Sequence, residues 1–136
     1  MMSNEATDRD KPVFIPDLLR EAIHIRTPWV RNALSEFFGT FLLLFIGIGI
    51  VMQFVLSNER LNTWVQINFG WGFAISFTVY CCAKTSGGHY NPAVSLAMVT
   101  FGRLSVRDFF IYIIVQTLGA FVGAAGAYGI YYSKFC

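Results

Sequence analysis

The sequence predicts an all-α membrane protein with three transmembrane helices and one re-entrant half-helix. Hydrophobic residues make up 55% of the chain and charged residues 13%, whereas about a quarter of a soluble domain is charged. Three stretches without Asp, Glu, Lys or Arg are each long enough to span a hydrocarbon core, at residues 37–58, 61–83 and 109–133. A glycine-rich segment and a short apolar run separate the last two stretches, which predicts the half-helix.

The distribution of charge indicates a membrane domain at residues 33–132. The predicted segments are a cytoplasmic tail at 1–32, spans at about 33–56, 62–83 and 106–132, a re-entrant loop with its half-helix at 84–102, and an extracellular end at 133–136. Eight of the ten Lys and Arg residues precede the first span or lie between the second and third, and the other two lie on the opposite side. The positive-inside rule then places the amino terminus in the cytoplasm.

The tail contains apolar residues near helical spacing, namely Ile15, Leu18, Leu19, Ala22 and Ile25. This spacing favours a short amphipathic helix on the membrane surface that ends at Pro28. An irregular linker is the alternative. No apolar run lies close to Met1, so the tail lacks the pattern of a cleavable signal peptide.

Composition and motifs exclude several functional classes. A net charge of +2 gives no indication of nucleic-acid binding. The sequence has no metal-ligand spacing such as C-x-x-C and no nucleophile and base pair typical of an enzyme, so neither a catalytic site nor a cofactor is predicted. Cys81 and Cys82 are adjacent and cannot form an ordinary disulfide with each other.

Polar side chains at membrane depth need partners. Glu36 lies near the cytoplasmic end of the first span, where a carboxylate is expected to face protein or water. An interfacial carboxylate that reaches into water is the alternative. Gln116 and Thr117 in the third span also need hydrogen-bond partners.

Small residues in the first and third spans predict close helix contacts. The first span contains Gly39, Gly47 and Gly49, and the third contains two small-xxx-small ladders, Gly119–Gly123–Ala127 and Ala120–Ala124. The ladders predict intimate contact with another helix.

Residues 86–94 read S-G-G-H-Y-N-P-A-V and precede a short apolar run. Asn91 is a favoured N-cap, Pro92 suits the first helical position and Gly102 suits the stop, which together predict a helix of about ten residues. Such a helix rises only about 15 Å, half a bilayer. It therefore favours a re-entrant loop, with the positive end of the half-helix at the membrane centre. A cytoplasmic turn followed by a surface helix is the alternative.

The predicted loop has the chemistry to pass neutral solutes. Asn91 would cap the half-helix with its side-chain oxygen and keep its NH₂ group free to donate into a lumen. Gly87 and Gly88 permit an extended backbone whose carbonyls face the same lumen. A neutral solute could exchange water for these groups, whereas a cation would meet the positive helix end.

Residues 86–94 closely resemble the signature S-G-x-H-x-N-P-A-V of the aquaporin superfamily, the major intrinsic proteins. Residues 35–40, S-E-F-F-G-T, resemble its first-helix signature A-E-F-x-G-T, and Gln116 stands where the family carries a buried glutamine. The resemblance covers about residues 33–132. It implies that the chain is one inverted-repeat half of the aquaporin fold.

Further residues resemble the glycerol-conducting branch, the aquaglyceroporins. These are the run S-L-A-M at 95–98 and the pair Gly102-Arg103. Trp71 lies between two glycines in the second span, a position that by itself is typical of packing. It matches the second-helix aromatic of the family's selectivity filter, so the resemblance implies that Trp71 lines the pore.

The resemblance also implies a role for each residue around the loop. Asn91, Pro92 and Ala93 form the pore motif, in which Asn91 donates to the solute. The carbonyls that accept from the solute belong to Gly87, Gly88 and His89. Glu36 holds the loop by accepting its backbone N–H groups, and Gln116 braces the loop without touching solute.

The function implied by the resemblance is passive conduction of glycerol, other small neutral solutes and water. The implied protein is an integral, multi-pass protein of the plasma membrane that forms homotetramers in the lipid bilayer. Family members have six spans and two such loops. This chain lacks the second motif and the filter arginine beside it, and the resemblance implies that the partner of the small-residue ladders belongs to the absent inverted half. We therefore expect a fragment, a truncated isoform or a partial gene model that supplies half of a pore.

Three alternatives remain open from the sequence. In the first alternative, the chain is a non-conducting isoform that associates with full-length channels. In the second, it belongs to a water-selective aquaporin. A third alternative, two copies that assemble into one pore, requires antiparallel insertion of identical chains. The bias of basic residues toward one side argues against that assembly.

Overall fold

The computed structural model describes residues 24–134, and this part of the chain consists of helices and short connections without strands. The helices are α1 (Pro28–Leu56), α2 (Trp64–Ser86), α3 (Pro92–Thr100) and α4 (Val106–Tyr131), followed by a 3-10 turn at Tyr132–Lys134. The predicted all-α class with one short helix among long ones is confirmed. Residues 1–23, with most of the predicted amphipathic helix, lie outside the described residues, as does the end of the chain.

Two helices of the described part are long and apolar enough to cross a membrane by length and composition. They are Pro28–Leu56, with a mean hydropathy of 2.3, and Val106–Lys134, with a mean hydropathy of 1.8. Helix α2 has 23 residues, which is also long enough, but polar residues such as Gln66 and Asn68 lower its hydropathy. The second predicted span, at about 62–83, therefore stays a prediction of the sequence.

Helix α1 begins at Pro28, five residues before the predicted start of the first span. Proline suits the first turn of a helix because the backbone N–H that it lacks has no partner there. Pro28 therefore starts the long helix, and the extra residues lengthen α1 at its amino-terminal end.

Helices α1 and α4 run parallel and pack closely along the first ladder. A Cβ atom added to Gly119 would collide with the carbonyl oxygen of Phe37, and one added to Gly123 would lie 2.6 Å from that of Phe41. Ala127 continues this buried face. Our expectation that the partner belongs to an absent half is wrong for this ladder, because α1 of the same chain fills that place.

Helix α2 runs back along α1. Ser35 Oγ near the start of α1 donates to the carbonyl of Cys82 near the end of α2, at 3.1 Å, whereas the Trp71 ring lies against Gly47 one-third of the way along α2. This antiparallel pairing brings the end of α2 and the start of α1 to the same level. The loop that leads to α3 consequently begins beside Glu36.

Candidate pore loop

The loop between α2 and α3 owes its path to residues with positive φ. Gly87 ends α2 with a φ of 97°, and Gly88 and Tyr90 follow with φ values of 69° and 49°. Glycine adopts this region without the steric cost that a Cβ atom brings, whereas Tyr90 must be held there by its contacts. The chain thus turns sharply after α2 and is directed into α3.

Helix α3 has nine residues and begins as the sequence predicts. Asn91 is its N-cap, and Asn91 Oδ1 accepts a hydrogen bond from the Ala93 N–H at 2.8 Å. Pro92 occupies the first helical position, and Gly102, with a φ of 67°, follows the end. The length of this helix, about 14 Å at 1.5 Å per residue, is half of a hydrocarbon core.

Glu36 is fully buried and accepts four hydrogen bonds. Oε1 accepts from the His89 N–H at 2.9 Å and from Ser86 Oγ at 2.7 Å, and Oε2 accepts from the Tyr90 N–H at 2.7 Å and from Gln116 Nε2 at 2.9 Å. Every partner is a donor, which suits an ionised carboxylate. The interfacial alternative for Glu36 is therefore wrong, since the carboxylate is enclosed by the loop and α4.

Gln116 and Ser95 extend this network to α3. Gln116 Nε2 lies 3.0 Å from Ser95 Oγ, which in turn lies 3.1 Å from His89 Nδ1. Ser95 and Gln116 are both buried. The loop, the half-helix, α1 and α4 are thus joined by one set of buried polar contacts. Thr117 needs no partner from outside its helix, because its hydroxyl donates to the Ile113 carbonyl at 2.7 Å.

Two tyrosines that the sequence analysis did not select also hold the loop. The Tyr90 ring packs on Gly39, where any Cβ atom would occupy its space, and its hydroxyl donates to the Thr78 carbonyl at 3.2 Å. The Tyr112 hydroxyl donates to the Ser86 carbonyl at 2.8 Å. A phenol at membrane depth needs a hydrogen-bond partner, and that need is the sequence signal that could have identified both.

The loop leaves several polar groups without protein partners. Within residues 24–134, no acceptor reaches the Asn91 Nδ2 group and no donor reaches the carbonyl oxygens of Gly87, Gly88 and His89. Gly87 and Asn91 are exposed, whereas Gly88 and His89 are half-buried. One free donor group and three free acceptors therefore lie on a short stretch at the positive end of α3.

A model of the family described as "Major intrinsic protein" matches residues 24–135 of the chain. The chain belongs to the major intrinsic protein family. Members of this family are integral membrane channels and not enzymes.

Relatives of this major intrinsic protein include aquaporins and aquaglyceroporins. Aquaporin-9 of Homo sapiens is 43% identical over 113 residues, which cover 83% of this chain and 38% of the relative. A "Probable aquaglyceroporin-2" of Gibberella zeae is 48% identical over 103 residues, which cover 76% of this chain and 30% of the relative. The chain thus spans less than two-fifths of the length of these relatives.

A solved structure has the same arrangement of helices. It is described as the X-ray structure of the aquaglyceroporin from Plasmodium falciparum, and it is 34% identical in sequence with a TM-score of 0.69. The match covers 79% of this chain and 44% of the aquaglyceroporin chain. It supports the inference that this major intrinsic protein has one half of the aquaporin fold.

Trp71 lies apart from the polar network in this major intrinsic protein. Its half-buried ring packs on Gly47 and against the small core formed by Leu43, Ala74, Cys82 and Tyr90. Pro92 and Ala93 are exposed at the start of α3. The structure therefore brings Glu36, Gln116 and the loop residues together, and the pore-lining role of Trp71 stays a prediction.

Proposed function

We propose that this chain supplies one half of a passive transmembrane channel for glycerol, other small neutral solutes and water. The observation that carries the proposal is that some polar groups of one loop have protein hydrogen-bond partners and others have none. The backbone N–H groups of His89 and Tyr90 are bound by the buried Glu36 carboxylate, whereas the carbonyls on the same stretch and the Asn91 NH₂ group have no partner in residues 24–134.

Such a loop suits a solute that both donates and accepts hydrogen bonds. A hydroxyl of glycerol, or a water molecule, would donate to a carbonyl of Gly87, Gly88 or His89 and accept from Asn91 Nδ2. Because Glu36 and Gln116 hold the loop in place, its groups need little reorganisation when solute replaces water. The barrier to passage is then small, since each hydrogen bond lost to water is replaced.

The end of α3 would also discriminate by charge. The first backbone N–H groups of the helix give its amino-terminal end a partial positive charge of about half a unit. Asn91 Nδ2 adds a donor at the same place. This positive end would repel a cation or a proton carrier, so neutral solutes are favoured.

Trp71 would form an apolar wall of the same pathway. An aromatic ring offers contact to the carbon side of a polyol, while the loop binds its hydroxyls. The proposed channel is completed by a second half with its own loop, and the complete protein lies in the plasma membrane as a homotetramer with a cytoplasmic amino terminus. The names of the relatives, aquaporin and aquaglyceroporin, support water and glycerol as solutes.

Reconstitution of the chain into liposomes tests the proposal. The chain is inserted alone and together with the part of the Plasmodium falciparum aquaglyceroporin that it does not match, and light scattering follows swelling in glycerol and shrinkage in sucrose. We expect no flux above empty liposomes for the chain alone and both glycerol and water flux for the pair. Co-purification of the two parts establishes that the pair has formed.

Three outcomes contradict parts of the proposal. Water flux without glycerol flux by the assembled pair would assign the chain to the water-selective alternative. Flux through the chain alone would exclude a half-pore. Assembly of the pair without flux of either solute would contradict the channel itself and favour a non-conducting partner of full-length channels.

A further inference from the structure

An apolar groove lies between the amino-terminal parts of α1 and α4, away from the pore loop. Its volume is about 290 Å³, and the residues that line it are Trp29, Val30, Ala33, Leu34, Phe37 and Val115. All six side chains are hydrocarbon or aromatic. Trp29 and Leu34 are each nearly half exposed, so the groove is open to whatever surrounds the helices.

A cation lies at the edge of this groove. The guanidinium carbon of Arg107, the second residue of α4, is 6.0 Å from the centroid of the Trp29 ring, at a distance suited to a cation–π contact. Arg107 is exposed. Within residues 24–134, no carboxylate lies within ion-pair distance of any basic side chain, so the Arg107 charge has no anionic protein partner there.

We propose that this groove binds an anionic phospholipid, with an acyl chain along the apolar groove and the phosphate paired with Arg107. Arginine is suited to phosphate because its planar group donates two parallel hydrogen bonds. Tryptophan concentrates at the boundary between headgroups and hydrocarbon, which matches the position of Trp29 at the start of α1. The ligand chemistry thus changes from apolar to anionic at the level where the protein surface changes from apolar to basic.

The predicted orientation supports an anionic lipid over a zwitterionic one. The starts of α1 and α4 lie on the side that carries most basic residues, and this side faces the cytoplasmic leaflet, which holds anionic lipids. Basic pockets between transmembrane helices on that side are suited to such headgroups. A zwitterionic lipid has the same acyl chains, but its own ammonium or choline group partly cancels the attraction to Arg107.

Photocrosslinking of the 136-residue chain tests the proposal. The chain is placed in phosphatidylcholine vesicles that contain a trace of phosphatidylserine or phosphatidylcholine with a diazirine on the acyl chain, and peptide mass spectrometry locates the adducts. We expect adducts on the groove residues with the phosphatidylserine probe in excess over the phosphatidylcholine probe. Unlabelled phosphatidylserine should compete, whereas glycerophosphoserine, which has no acyl chains, should not.

The matched variants separate Arg107 from general surface charge. Arg107→Gln should lower groove labelling by phosphatidylserine about fivefold, the effect of one basic residue near an anionic lipid. Arg107→Lys should lower it less, because lysine keeps the charge but not the two parallel hydrogen bonds. Lys84→Gln removes one positive charge at the same level from α2 and should leave the labelling unchanged. Circular dichroism checks that each variant is folded, and the competition experiment needs no variant.

Several results would overturn the proposal. These are equal labelling by the two lipid probes, an equal decrease in the Arg107→Gln and Lys84→Gln variants, and competition by glycerophosphoserine. Groove labelling that arises only after residues 1–23 are removed would show that the chain's own amino-terminal segment covers the groove.

Discussion

Gln116 Nε2 donates to Glu36 Oε2 at 2.9 Å, and this contact joins two helices through residues that are 80 positions apart. The same carboxylate accepts the backbone N–H groups of His89 and Tyr90. The position of the candidate pore loop therefore depends on a buried carboxylate contributed by α1 and on an amide contributed by α4. Each of the following predictions follows from one such dependence.

Glu36→Gln should destabilise the chain by about 3 kcal/mol, because hydrogen bonds to a charged acceptor are worth about 1.5–3 kcal/mol each and the amide offers only one acceptor oxygen to four donors. Denaturant unfolding in detergent micelles, followed by circular dichroism, measures the change. Glu59→Gln is the control, since Glu59 is exposed in the connection after α1 and should change stability by less than about 0.5 kcal/mol. Equal effects of the two substitutions would contradict a supporting role for Glu36.

Gly119→Ala should weaken the contact between α1 and α4 by about 1–3 kcal/mol, because the new methyl group meets the Phe37 carbonyl and the backbone must move. Gly129→Ala is the control, since Gly129 lies on the same helix with open space around it. This substitution should be neutral or stabilising by up to about 1 kcal/mol. Thermal unfolding in micelles compares them. A Gly119→Ala variant as stable as the Gly129→Ala variant would show that the two helices are less closely packed.

Gly88→Ala should cost more stability than Gly102→Ala, although both glycines have nearly the same positive φ. Each substitution brings about 1–2 kcal/mol of left-handed strain. Only at Gly88 does the added atom also approach Ala83 Cβ, at 2.8 Å, and the Tyr90 hydroxyl, at 3.0 Å. The difference between the two unfolding free energies isolates the crowding in the loop, and no difference would mean that the loop has room to adjust.

Asn91→Ala and Asn91→Ser should separate the two roles given to Asn91. Alanine removes the cap, at a cost of about 1 kcal/mol, and also removes the free NH₂ group. Serine can still cap the helix but has no amide donor. We expect that only Asn91→Ala lowers stability. Both variants should lower glycerol flux when they are reconstituted together with the second half. Full flux through Asn91→Ser would exclude the amide donor from conduction.

Tyr112→Phe should destabilise the chain by about 1 kcal/mol, because the Ser86 carbonyl loses its 2.8 Å hydrogen bond in a buried place. Tyr80→Phe is the matched control, since Tyr80 is 89% exposed on α2. Chemical unfolding of the two variants gives the comparison. Equal stabilities would remove Tyr112 from the set of residues that hold the loop.

Local rules predicted the start of α3 and the polar residues around it. Asn91, Pro92 and Gly102 act on their immediate neighbours, through one side-chain hydrogen bond, a fixed φ and a permitted positive φ. Such effects need no knowledge of distant residues. The start of α1 shows the limit, because Pro28 can end one helix or begin another, and the residues on both sides decide which occurs.

The contacts of Tyr90, Ser95 and Tyr112 could not be predicted in the same way. Tyr90 occupies a variable position of the motif, yet its ring needs the notch at Gly39, 51 positions earlier. The partner of the Gly119 ladder was also misplaced, because a ladder indicates that a helix approaches closely without identifying which helix it is.

By itself the sequence determined the all-helical class, the membrane-length apolar segments, the capped half-helix and the family, because hydropathy, caps and motif spacing are properties of neighbouring residues. Only the tertiary structure decided that Glu36 is enclosed by four donors, that α1 is the partner of α4, and that a basic residue borders an apolar groove between them. The physical reason is that burial and pairing depend on which distant segments meet, and the energy of a buried carboxylate depends on all its partners together.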